Sequence, residues 1–116
     1  MIKTKNYILI TRFIMISMFV LFLYFFRITF VNGCSMKPTL KETDFLICNT
    51  FDTTPEIGDI VVVKPLICTN DYIIKRVTDI KDNQIFLEGD NKEHSYDSRN
   101  FGWIDKENVL GVVLFK

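Results

Sequence analysis

The sequence predicts a mainly β protein, a small β-barrel or sandwich carried behind one N-terminal membrane helix. Three observations predict it. An uncharged apolar run occupies Phe13 to Phe26. From Phe45 onward, short β-branched and apolar runs alternate with turn residues. No later segment has the long 3.6-residue apolar period of an amphipathic helix.

The N-terminal run comes first. Fourteen residues of helix span only about 21 Å, less than the roughly 30 Å hydrocarbon core. The helix must therefore extend, either back through Arg12 and Thr11 to Tyr7 or forward to Val31 past Arg27. Lys3, Lys5 and Arg12 precede the run, and the positive-inside rule then favours a cytoplasmic N-terminus. The expected division is residues 1–31 as cytoplasmic terminus and transmembrane anchor, and residues 32–116 as an extracytoplasmic β domain. Two other outlines share these features. A cleaved signal peptide also has a basic start and an apolar run. Val31-Asn32-Gly33-Cys34 also resembles a lipoprotein cleavage box, although Asn32 fits it poorly and Arg27 interrupts the apolar run before it.

Five strands are expected after the anchor. Phe45 to Cys48 and Ile60 to Val63 are bounded by turn residues such as Pro55 and Gly58-Asp59. Tyr72 to Ile80 and Gln84 to Leu87 read as a hairpin closed by Lys81-Asp82-Asn83. Val109 to Phe115 is the last strand, with Gly111 as a bulge position. Glu88 to Gly102 is polar and reads as a loop.

Composition narrows the function. Fourteen Lys+Arg balance fourteen Asp+Glu in 116 residues. No basic stripe suggests a nucleic-acid partner. Three cysteines at 34, 48 and 68 cannot form a complete set of disulfides. A Cys48–Cys68 bridge and apolar core thiols are both open. Joined with His94, the cysteines have spacings too irregular for a metal site, and no cofactor is expected.

The chemistry rests on two residues. Strand alternation puts Ile73, Lys75 and Val77 on one face and Ile74 and Arg76 on the other. If the first face is the core, burial favours the neutral amine and makes Lys75 a base; otherwise its ammonium reaches water along the sheet. Arg76 stays protonated and cannot serve. Ser35 lies in a loop stiffened by Pro38, beside Gly33, which admits close backbone approach. Ser35 needs such a base to become a nucleophile. Cys34 is a rival, and only one of the two adjacent side chains can face Lys75. The polar stretch from Gly89 to Arg99 can orient the lysine, with Asp97 or Asp90 pairing to Arg99, or can be an ordinary solvated loop.

These residues carry a resemblance. Ser35-Met36-Lys37-Pro38-Thr39-Leu40 resembles the S-M-x-P-T-L nucleophile box of bacterial type I signal peptidases. Gly58-Asp59-Ile60-Val61-Val62 resembles their G-D-I-V-V strand, and Lys75-Arg76-Val77 their K-R-V segment. Gly89-Asp90-Asn91, Ser95, Asp97-Ser98-Arg99 and Gly102 resemble their G-D-N…S-x-D-S-R-x-x-G box. Four motifs in the family's order span most of Gly33 to Gly102. The resemblance implies a signal-peptidase-like β domain of the compact, Gram-positive-like kind. It implies Ser35 as nucleophile, Lys75 as general base, Ser95 hydrogen-bonded to the lysine amine, and an Asp97–Arg99 pair shaping the site, with Asp90 in support. It implies signal peptides with A-x-A-like cleavage sites as substrates and a bilayer as surroundings. Gly33 stands where some members carry a hydroxyl that helps bind the oxyanion, so backbone N–H would have to suffice here. A specialised peptidase for pilus or conjugation subunits, or a non-catalytic anchored relative, would share the same motifs.

Overall fold

The computed structural model describes residues 2–31, 33–51, 54–64 and 72–115. Helix α1 runs over Ile2–Phe25. It extends backward through Arg12 and stops before Arg27, so the forward extension is not taken. Its apolar window, Lys3–Phe25, is long and apolar enough to cross a membrane and is not buried within the chain. Among the described residues only its last turn touches the domain, where the Phe25 ring meets that of Phe51. At 1.5 Å per residue, 23 residues span about 34 Å, enough for the hydrocarbon core.

The helix ends because other groups take its last carbonyls. Thr50 N–H donates to Phe25 O at 2.8 Å, and Thr50 Oγ1 donates to the same oxygen at 2.8 Å. These bonds satisfy acceptors that a helix terminus otherwise leaves open. The chain then turns directly into strand β1, Phe26–Phe30, so the sheet begins before the 31/32 division expected from sequence. Ile28 and Thr29 are β-branched and suit a strand.

Six further strands follow: β2 (Phe45–Asn49), β3 (Ile60–Val63), β4 (Ile73–Lys81), β5 (Gln84–Glu88), β6 (Ile104–Asp105) and β7 (Val109–Phe115). They form one antiparallel sheet in the order β1-β2-β7-β3-β4-β5-β6. The sheet curls into a half-barrel. The expected mainly β domain behind one apolar helix is therefore observed.

Core residues lie on both faces, as alternation demands. Val61 and Val63 join Val77, Ile85, Leu87, Ile104 and Val109 on one side. Val62 joins Val31, Met36, Leu40, Leu46 and Cys48 on the other. Three register shifts adjust the pattern, one of them between β2 and β7 at Ile47 and Cys48. In β4 the register jumps between Val77 and Asp79, leaving Thr78 as an extra residue. That bulge lets Ile80 pack on the same core as Val77. In β7, Gly111 pairs with Val62 and Val109 with Val63. The bulged residue is thus Leu110, one place before the glycine expected there.

Leu40 is wholly buried beneath the loop that carries Ser35. Leu40→Ala is expected to cost about 2–5 kcal/mol, read as a lower urea midpoint at unchanged slope in detergent micelles.

Candidate active site

The loop from Gly33 to Leu40 is held from below and from the side. Gly33 has φ +83°, a left-handed conformation that glycine adopts without penalty. A Cβ there would meet nothing within 4 Å. Backbone conformation, not close approach, is therefore what calls for this glycine. Met36 and Leu40 plug the loop into the core, 1% and 0% exposed. Lys37 N–H closes a turn on Cys34 O at 3.2 Å, and Leu40 N–H on Met36 O at 2.9 Å. From the side, Asn91 N–H donates to Ser35 O at 2.8 Å and Asn91 Nδ2 to Cys34 O at 3.0 Å.

Strand β4 brings the lysine. Lys75 pairs with Val61 of β3 and shares its face with Ile73 and Val77, which pack in the core. Only 6% of it is exposed, so the solvated reading of this side chain does not hold. Nζ is hydrogen-bonded to Ser35 Oγ at 2.6 Å. An ammonium donates in this bond, whereas a neutral amine accepts the serine proton. Burial pushes the Lys75 amine below the ordinary lysine value, against the opposing influence of Asp97 and Cys34. Cys34 itself is exposed, so the side chain that meets the lysine is serine.

The segment expected to be a loop contains a single-turn helix, α2 (Ser98–Phe101). Asp97 caps it: its carboxylate accepts from Arg99 N–H at 3.1 Å, and Asn100 Oδ1 accepts from Asp97 N–H at 3.2 Å. The Asp-x-x-Asn spacing is a capping pattern and was the signal for this turn. The same carboxylate is wholly buried. It accepts from Gly89 N–H at 2.9 Å, Ser95 Oγ at 2.8 Å, and Arg99 Nε and Nη2, both at 2.9 Å. Burial alone would raise its pKa. The Arg99 guanidinium, the Gly89 N–H and the Ser95 hydroxyl outweigh that and hold it well below the carboxylate range. The Asp97–Arg99 pair is therefore formed. Ser95 donates to Asp97, not to Lys75, because a buried carboxylate is the stronger acceptor.

Asp90 does not pair with Arg99. It takes a two-pronged bond from Arg76, Nε to Oδ1 and Nη2 to Oδ2, each 2.8 Å. Arg76 Nη1 also reaches Gly58 O at 2.7 Å, and Thr39 Oγ1 donates to Asp90 Oδ2 at 2.5 Å. Sequence reasoning set Arg76 aside as an unsuitable base and missed this tie. The alternation that put Lys75 inward put Arg76 on the Asp90 side.

Gly89 lies where these parts converge. A Cβ on it would stand 2.5 Å from Ser35 O and closer still to Ser95 Oγ. His94 is exposed at the end of a 3-10 turn. Cys48 is a buried free thiol, and Cys68 lies outside the described residues. Among the described residues no buried side-chain polar atom lacks a partner.

A cleft of about 530 Å³ opens over Ser35 and Lys75, walled by Val31, Ile74, Tyr72 and Tyr96. Two unpaired strand edges flank it. β1 is the first strand of the sheet, and β5 pairing with β4 begins only at Arg76. Ile73 to Lys75 therefore bond β3 alone.

Two outcomes follow from this geometry. Gly89→Ala is expected to destabilise the fold by about 1–3 kcal/mol through overpacking, and the Asn91–Ser35 bond should lose hydrogen-exchange protection. Asp97 contributes stability that is present above its ordinary pKa of 3.8 and is lost as pH falls below it. Asp97→Asn should lower the urea midpoint at pH 7 and flatten its decline toward pH 3.

The family model for signal peptidase, peptidase S26, matches residues 4–79 and 77–116. Mitochondrial inner membrane protease subunit 1 of Xenopus tropicalis is 28% identical over 118 aligned positions, covering 82% of this chain and 71% of that protein. The mouse (Mus musculus) protein of the same name is 27% identical over the same shares. Signal peptidase I V of Bacillus subtilis is 40% identical over 48 positions, 39% of this chain and 29% of that protein. With nearly its whole length matched, the chain belongs to the S26 signal peptidase family of peptidases.

Proposed function

We propose that this protein is a membrane-bound serine endopeptidase that removes N-terminal signal peptides from exported proteins through a Ser35/Lys75 dyad. One observation carries the reading: a buried lysine amine stands 2.6 Å from a serine hydroxyl at the floor of an open cleft.

Neutral Lys75 takes the Ser35 proton as Oγ bonds to the scissile carbonyl carbon. Backbone N–H, with that of Ser35 as the candidate, stabilises the tetrahedral oxyanion, since Gly33 offers no hydroxyl. The intermediate collapses, the C–N bond breaks, and Lys75 returns the proton to the leaving amine. The signal peptide is then held as an ester on Ser35. Water gives a proton to Lys75 as its oxygen bonds to the ester carbonyl carbon. The bond to Ser35 Oγ then breaks, Lys75 returns the proton to Oγ, and the signal peptide leaves with a new C-terminal carboxylate. Ser95, Asp97 and Arg99 fix the wall beside the amine, and Asp90 holds the nucleophile loop to β4 through Arg76 and Thr39.

The substrate binds extended between the free edges of β1 and β4, adding a strand. The short apolar walls favour small residues at the two specificity positions of an A-x-A-like site. Residues 1–31 hold the chain in the cell membrane by one pass of α1. Lys3, Lys5 and Arg12 favour a cytoplasmic N-terminus, which puts the catalytic part, residues 32–116, outside the cytoplasm.

The test is cleavage of an A-x-A preprotein by the full chain in detergent. Wild type should cut after the small residue. Ser35→Ala and Lys75→Ala should each lose at least about 10³-fold in kcat/KM, with losses in the double variant far from additive. An acyl adduct on the Ser35 peptide by mass spectrometry should accompany wild-type turnover only. Retained cleavage by Ser35→Ala would overturn the dyad and point to Cys34.

A further inference from the structure

A second groove, of about 680 Å³, lies between the end of α1 and the sheet. Leu23 and Phe25 of the helix form one wall, and Val62 and Gly111 lie along its floor. Gly111 helps keep the floor open: a Cβ there would stand 3.1 Å from that of Cys48. The groove adjoins the cleft over Ser35: Thr29 and Tyr72 line both.

Among the described residues that line the groove, Arg27 is the one charged side chain. Arg27 pairs with Cys48 across β1 and β2, which sets its side chain on the same face as Thr29 and the buried Val31. Its guanidinium is exposed and makes no ion pair or hydrogen bond among the described residues. Its five donors therefore have no carboxylate partner among the described residues of the groove.

We infer that this groove is an upstream subsite for the cleaved chain, in which Arg27 selects against cationic residues. The inference rests on the peptidase reading above. Its occupant follows from adjacency and direction. In an exported precursor the apolar segment precedes the small-residue cleavage site, so the upstream chain arrives from the side of α1. A strand laid along β1 keeps step with it at about 3.3 Å per residue. Val31 lines the cleft beside Ser35, and Arg27 precedes it by four residues, about 13 Å along a strand. The residue facing Arg27 is then about five positions upstream of the scissile bond. Arg27 can donate to main-chain carbonyls or an acidic side chain there, while a lysine meets like charge in a partly desolvated groove.

The experiment uses the full chain in detergent micelles and three A-x-A peptides that differ only five residues upstream of the bond, with Glu, Gln or Lys. Wild type should cleave the Glu peptide about tenfold more efficiently than the Lys peptide. Arg27→Gln should bring the two close together, and Arg27→Glu should reverse the order. Moving the charges five residues downstream should remove the preference. Cleavage of all three peptides with a Glu-to-Lys ratio unchanged by Arg27→Glu would overturn the subsite and leave the peptidase reading intact. Failure of wild type to cleave even the Gln peptide would overturn both.

Discussion

The hydrogen bond between Lys75 and Ser35 depends on taking an amine out of water, and much of the domain is arranged around that requirement. A lysine in solvent is an ammonium and cannot accept a proton. Here Val61 and Val77 flank Lys75 on the core face of β3 and β4, and the curled sheet closes over its stem. Burial in such a setting favours the uncharged form. The cost falls on the sheet, which must hold a polar head at the edge of an apolar core. It does so by giving that head a partner in Ser35, so that the amine is buried and still hydrogen-bonded.

Two further ties hold the partner in place. Below the loop, Met36 and Leu40 fill the opposite core, which makes the apolar residues around Ser35 structural plugs. Beside it, Asp90 is clamped by Arg76 and Thr39, linking the nucleophile loop, β4 and the turn at Gly58 in one network. Such a tie is worth most where its charges are partly shielded, as Asp90 is. Gly89 then permits the closest approach in the site, passing beneath Ser35 O and Ser95. Residues that look like a conventional motif on paper are thus plugs, clamps and clearance around one serine.

Much of this was legible in the chain. Alternation put Lys75 on one face with Ile73 and Val77 but left open whether that face was the core, which only the packed sheet decides; the five expected strands are present. What escaped were features set by partners distant in sequence. Whether the apolar run would continue as helix past Phe25 depended on Thr50, twenty-five residues on, which takes the last carbonyls. Strand β1 is short, and only its pairing with β2 defines it. Arg76 was visible as a charge but not as the partner of Asp90, because nothing local distinguishes Arg76 from Arg99 as that partner. The α2 turn was hidden by its shortness, although the Asp97 cap was readable. Ser95 turned to Asp97 because both are held in one buried cluster, an outcome that only the packed geometry decides.

The account's central claim is that Lys75 is poised to be neutral beside Ser35. Its most direct test is the titration of the Lys75 Nζ by nitrogen NMR on the full chain in micelles, with Lys75→Arg used to assign the signal. The account predicts a midpoint below 10.5, the ordinary lysine value, and a signal that shifts in Ser35→Ala. A midpoint at or above that value, unaffected by loss of the serine hydroxyl, would contradict it.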